Sequence, residues 1–71
     1  DVNEVKEVLM SFPGAKEARL KTTGDELWGH RIHAEMVFSA GYGAVERDML
    51  SFCRERMANY KIPRTINVIV D

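Results

Sequence analysis

From Trp28 to Phe38 the side chains give the clearest two-residue alternation in the chain. Trp28, His30, Ile32, Ala34, Met36 and Phe38 fall to one side, and Gly29, Arg31, His33 and Glu35 to the other. A period of two marks a half-buried strand, because successive side chains leave a strand on opposite faces. A strand with one apolar face needs a layer to cover it. Two helical patterns supply that layer. Over residues 2 to 12, Val2, Val5, Val8, Leu9 and Phe12 recur at three- and four-residue steps, with Glu4, Lys6 and Glu7 on the wet side. Pro13-Gly14 stops this helix. Over residues 44 to 57, Val45, Met49, Phe52 and Cys53 point inward and Met57 closes the stripe. Glu46, Arg47, Asp48, Arg54 and Glu55 face water as an ion-paired surface.

The remaining segments complete the order. Residues 15 to 21 read as a short half-buried strand, with Ala18 and Leu20 opposite Glu17, Arg19 and Lys21. Thr22-Thr23-Gly24-Asp25 reads as a turn, Ser39 to Gly43 as a loop, and Asn59 to Pro63 as a connector. Residues 65 to 70 are rich in β-branched side chains and read as a final strand. The sequence therefore predicts an α+β fold of order α-β-β-α-β, a three-stranded mixed sheet packed by two helices on one face. The first two strands form an antiparallel hairpin. The third returns through a helix and runs parallel to the second or to a neighbour of it. The expected core is Leu9, Phe12, Ile32, Met36, Phe52 and Val68.

Composition narrows the function. Seventy-one residues make one small domain, 1–71. Ten Lys and Arg against eleven Asp and Glu leave a net charge of −1, so there is no field to draw nucleic acid or an anionic membrane. One cysteine, Cys53, excludes a disulfide framework and a zinc site built on paired cysteines, and it fits a reduced, cytoplasmic setting. No apolar run reaches the roughly 18 residues of a membrane span. The chain starts without methionine and ends on a hydrophobic run, so we expect it to be cut from a longer one.

Few residues suggest chemistry. His30 and His33 are three apart on a strand, hence on opposite faces, and share no metal; we expect one packed and one solvated. Cys53 reads as a buried, inert thiol. Gly41-Tyr42-Gly43 lacks the context of a phosphate loop. Tyr60-Lys61-Ile62-Pro63-Arg64 has two readings. It presents a ring to a base and cations to phosphates, or it is a helix end with cations on its dipole, followed by a strand start. The residues alone favour the second. Trp28-Gly29 reads as rim packing beside a point of close approach.

Four segments, in order, resemble one family. Glu4-Val5-Lys6-Glu7-Val8-Leu9-Met10-Ser11-Phe12-Pro13 resembles the E-I/V-E-x-V-L-x-x-H-P helix of adenylate-forming enzymes. Gly24-Asp25-Glu26-Leu27-Trp28-Gly29 resembles their x-D-x-x-x-G turn, and Phe52 to Arg64 resembles h-C-R-x-x-L-A-x-Y-K-x-P-R. Ile66 to Asp71 resembles I/V-x-h-V-D. The resemblance, to the acyl-CoA synthetase superfamily, covers nearly the whole chain. It implies the small C-terminal lid that moves against a large N-terminal adenylation domain. It also implies an activity: ATP, with magnesium, activates a carboxylic acid to an acyl-adenylate, and the acyl group then passes to coenzyme A or a carrier-protein phosphopantetheine. The family's lysine lies in a loop after the last strand, beyond Asp71, so no catalytic residue is assigned here, and the isolated chain is expected to be inactive and to hold no cofactor tightly. By resemblance Tyr60, Lys61 and Arg64 meet the nucleotide of the thiol substrate, and Trp28 and Gly29 lie near the thiol-side face. Ile62 stands where some relatives carry a further cation, Phe12 replaces a histidine, and Lys6 replaces an acid. An alternative is a stand-alone interaction module that keeps the lid fold and docks on a separate adenylation core. A small ligand- or nucleic-acid-binding domain is disfavoured, because no basic surface and no row of sheet aromatics is present.

Overall fold

A computed structural model describes residues 2–25 and 29–70. The elements are α1 (Val2–Met10), β1 (Ala15–Asp25), β2 (Gly29–Phe38), α2 (Glu46–Arg54), a 3-10 turn (Asn59–Lys61) and β3 (Thr65–Val70). This is the expected α-β-β-α-β order. The sheet runs β1-β2-β3, with β1 antiparallel and β3 parallel to β2.

Element lengths differ from the sequence reading, each for a local reason. The first helix ends at Met10, not residue 12. Pro13 disfavours helical backbone at Phe12, and the end tightens: the Ser11 amide reaches the Val8 carbonyl at 3.1 Å and the Phe12 amide reaches Leu9 at 3.2 Å. Thr22, Thr23 and Gly24, expected as a turn, are strand and pair with Ile32, Arg31 and His30. Threonine suits a pleated ladder, and the long second strand offers partners as far as Gly29, opposite Asp25. The second helix covers Glu46–Arg54 rather than 44–57. Val45, expected inward, is extended at the N-cap and 56% exposed. Beyond Arg54 the Arg56 and Met57 amides both donate to the Cys53 carbonyl, at 3.0 and 2.8 Å, and this tight turn still delivers Met57 to the core. The connector contains the 3-10 turn.

The inner sheet face and both helices share one core. Val5, Leu9, Met36, Phe38, Met49 and Cys53 are fully buried, and Ala18, Ala34 and Ile66 complete the centre. Ala34 pairs with Leu20 on one side and Ile66 on the other, so the middle of the sheet sets one small side chain between two larger apolar ones. Leu9 and Met36 are core as expected. Phe12, Ile32, Phe52 and Val68 are only partly buried and pack around it, since Phe12 lies past the end of α1 and Ile32 faces an open cleft. Phe12 meets Phe38 and Phe52 edge-on, with centroids 5.8 and 4.9 Å away.

The outer sheet face is polar apart from the Val37–Ile69 pair at one end. Arg19 grips Glu17 with two bonds of 3.0 Å and reaches Glu35 at 2.9 Å. His33 bonds Thr65 on β3 at 2.8 Å and Thr23 on β1 at 3.1 Å, joining all three strands. The expected pair of one packed and one solvated histidine is present: His33 is half-buried and His30, on the inner row beyond the helices, is exposed. The 39–43 loop is latched to the first turn. The Ser39 amide donates to the Gly14 carbonyl at 3.0 Å, and Gly14 is left-handed (φ +79°) with the Tyr42 ring lying where a Cβ would stand. A side chain there would be strained and obstructed together.

Candidate functional site: a cationic cleft beside the 3-10 turn

Parallel pairing sets the site. Because β3 runs alongside β2 from His33↔Thr65 onward, the approach to β3 passes the beginning of β2. The Arg64 amide donates to the Ile32 carbonyl at 2.7 Å and pins this crossing. Pro63, which is buried, fixes the chain direction just before it. The C-terminal end of α2 closes the third side. Between these walls lies an open cleft of about 550 Å³.

The cleft is lined by His30 and Arg31 of β2, Arg54 of α2, Tyr60 of the 3-10 turn, and Arg64. Among the described residues no carboxylate lines it. Arg54 and Arg64 are exposed, and neither guanidinium has an ion-pair partner among the described residues. Tyr60 is 83% exposed, the most exposed large hydrophobic side chain described. A solvent-facing ring beside several guanidinium groups matches an anionic ligand that also carries a flat ring system. It does not match a metal ion: among the described residues no group of three or more His, Cys, Asp or Glu is assembled.

The structure thus brings together two of the residues singled out from sequence, Tyr60 and Arg64. Gly29 opens β2 just before the cleft wall, and Trp28 lies outside the described residues. Lys61 is on the same turn as Tyr60 but does not line the cleft. Its ammonium donates to the Glu4 carboxylate of α1 at 2.8 Å and sits 5.7 Å from the Tyr60 ring centroid. That bond holds the Glu4 carboxyl below its ordinary value and the Lys61 ammonium above its own. Three cleft residues were not visible as site residues in the sequence: His30, Arg31 and Arg54. Helical periodicity places Arg54 on a wet face but gives no sign of which strand end that face overlooks. Cys53 is buried, and burial pushes its thiol up, as an inert core residue requires.

Comparison with known proteins gives this arrangement a family. No family model matches the chain. The 2-succinylbenzoate–CoA ligase of Bacillus licheniformis is 38% identical over 66 residues, which is 93% of this chain and 13% of that protein. The 4-hydroxybutyrate–CoA ligase 2 of Metallosphaera sedula is 32% identical over 62 residues, 87% of this chain and 11% of the other. Among solved structures, the o-succinylbenzoate CoA synthetase of Bacillus subtilis in complex with its acyl-adenylate intermediate superposes with a TM-score of 0.78 at 35% identity, covering 94% of this chain and 13% of that one. The chain belongs to the adenylate-forming acyl-CoA ligase family. It spans about an eighth of the length of these relatives. In those relatives the segment matched by this chain is a small part of a larger ligase. Among the described residues no helix is long and apolar enough to cross a membrane.

Proposed function

We propose that this chain is the small C-terminal lid of an ATP-dependent acid–thiol ligase and that the cationic cleft is its surface for the thiol substrate. The whole enzyme would join a carboxylic acid to ATP as an acyl-adenylate, releasing pyrophosphate, and then pass the acyl group to a thiol, coenzyme A or a carrier arm. The observation that carries this reading is the cleft itself: Tyr60 bare to solvent, with Arg54 and Arg64 beside it and without an ion-pair partner among the described residues. Coenzyme A has an adenine ring and phosphates at the end remote from its thiol, and that end asks for this donor set. The Tyr60 ring lies against the base, and the guanidinium groups of Arg54 and Arg64 meet phosphate oxygens in charge-assisted bonds. Pro63 and the Arg64–Ile32 backbone bond hold these groups in place before the ligand arrives. Among the described residues the cleft holds no carboxylate or thiol, and its one imidazole, His30, is open to solvent, so we assign the cleft binding and orientation rather than bond-making. ATP and magnesium fall to the large N-terminal domain, the lid's partner.

The test uses the intact protein with a carboxylic acid that supports ATP–pyrophosphate exchange. Tyr60→Ala is expected to slow thioester formation by about tenfold, the loss of one base–aromatic stack, and to leave pyrophosphate exchange within about twofold, a margin well under 1 kcal/mol. Equal loss in both half-reactions would contradict the assignment. So would the absence of exchange with every acid tried.

A further inference from the structure

Lys61 carries the one charge of the Tyr60–Arg64 segment that faces away from the cleft, and it is spent on another element. Its ammonium lies on Glu4, 57 residues earlier in the chain, at 2.8 Å. The 3-10 turn that presents Tyr60 is three residues long, has no side-chain cap, and contains no buried residue. Its own backbone bonds are few: Lys61 to Ala58 at 2.9 Å and Ile62 to Asn59 at 3.2 Å. Ile62, packed on the core, buried Pro63 and the Arg64–Ile32 bond fix the chain just after the turn, but on the turn itself the tie to a packed element is the one that Lys61 makes. Glu4 is the other end of that tie. It stands in α1 next to Val5, which is fully buried, so its carboxylate is anchored by the core. The ion pair is half-shielded, with side-chain exposures of 28% for Lys61 and 44% for Glu4.

We propose that Glu4 is a positioning residue for the thiol-side cleft. Through Lys61 it fixes the 3-10 turn, and so sets where the Tyr60 ring stands when the nucleotide end of coenzyme A is bound. Glu4 touches no ligand, and Lys61 serves the turn rather than a phosphate. The inference rests on reading the cleft as the thiol-side site.

The experiment measures KM and kcat for coenzyme A in the intact enzyme, with Glu4→Gln, Lys61→Glu, the exchanged pair Glu4→Lys/Lys61→Glu, and Tyr60→Ala. Glu4→Gln is expected to raise KM for coenzyme A roughly three- to fivefold, the scale of a partly exposed ion pair, with kcat within about twofold because no reacting group is touched. Lys61→Glu should do at least as much, since it sets like charges together. The exchanged pair should return most of the loss, because the link is restored with opposite polarity. A fall in KM for Glu4→Gln would overturn the proposal, since it would mean that a freed Lys61 meets the ligand itself. An exchanged pair as poor as Lys61→Glu would overturn it as well. If Tyr60→Ala raises KM while Glu4→Gln does not, the cleft assignment stands and the role of Glu4 falls. If Tyr60→Ala leaves KM unchanged, both fall.

Discussion

Phe38 and Phe52 sit on apolar stripes of the same sequence, yet the fold uses them differently. Phe38 is fully buried near the end of β2, while Phe52 packs at the margin with the Arg56 guanidinium 3.6 Å above its ring centroid. Phe38→Ala should therefore cost about 3–5 kcal/mol, transfer and cavity together. Phe52→Ala should cost less, about 1–2 kcal/mol, because its ring is only partly buried at the margin of the core and leaves a space that water can fill. Denaturant unfolding of the two variants checks this order, and equal losses would contradict it. Periodicity shows that both rings lie on a stripe and cannot show which end of a stripe is covered. The same limit explains Val45, which continues the helical pattern but lies outside the helix as its N-cap. It also explains Glu4, whose wet-side position is plain in the sequence while its partner, Lys61, is fixed only by tertiary packing.

At the scale of elements, the strands and helices follow from pattern and the ties between them do not. The order of elements and the strand directions were legible because alternation, β-branched runs and Pro-Gly breaks are local signals. The extension of β1 through Thr22 to Asp25 was not, since a turn-prone run becomes strand when a long partner strand lies opposite it. Glu46 is a second such tie. It reads as a solvated helix residue, but its carboxylate accepts the Ile66 amide of β3 at 2.8 Å. This bond joins the first turn of α2 to the outermost strand and occupies a backbone donor at the sheet edge. Glu46→Ala should destabilise the fold by about 1–2 kcal/mol, because it leaves that amide without its partner. Glu46→Gln keeps an acceptor and should lose less. Thermal or denaturant unfolding of both variants distinguishes a specific bond from a general charge effect, which would make the two equal.

Across the whole molecule, the cleft is assembled from β2 and, far from it in sequence, the end of α2 and the 3-10 turn. Two of the five basic and aromatic cleft residues were readable: Tyr60 and Arg64 belong to one short motif. Arg54, Arg31 and His30 come from a helix and a strand that meet there only because β3 runs parallel to β2. The central claim is that this cleft recognises the nucleotide end of a thiol substrate. The most direct measurement compares kcat/KM for coenzyme A with that for pantetheine, which carries the same thiol without the nucleotide, in the intact enzyme and in Tyr60→Ala/Arg64→Ala. The account predicts that the enzyme prefers coenzyme A strongly and that the variant loses at least tenfold of that preference, with pantetheine turnover little changed, since a stacked ring and a charge-assisted phosphate contact each contribute about 1–3 kcal/mol. A preference that survives the double substitution intact would contradict it.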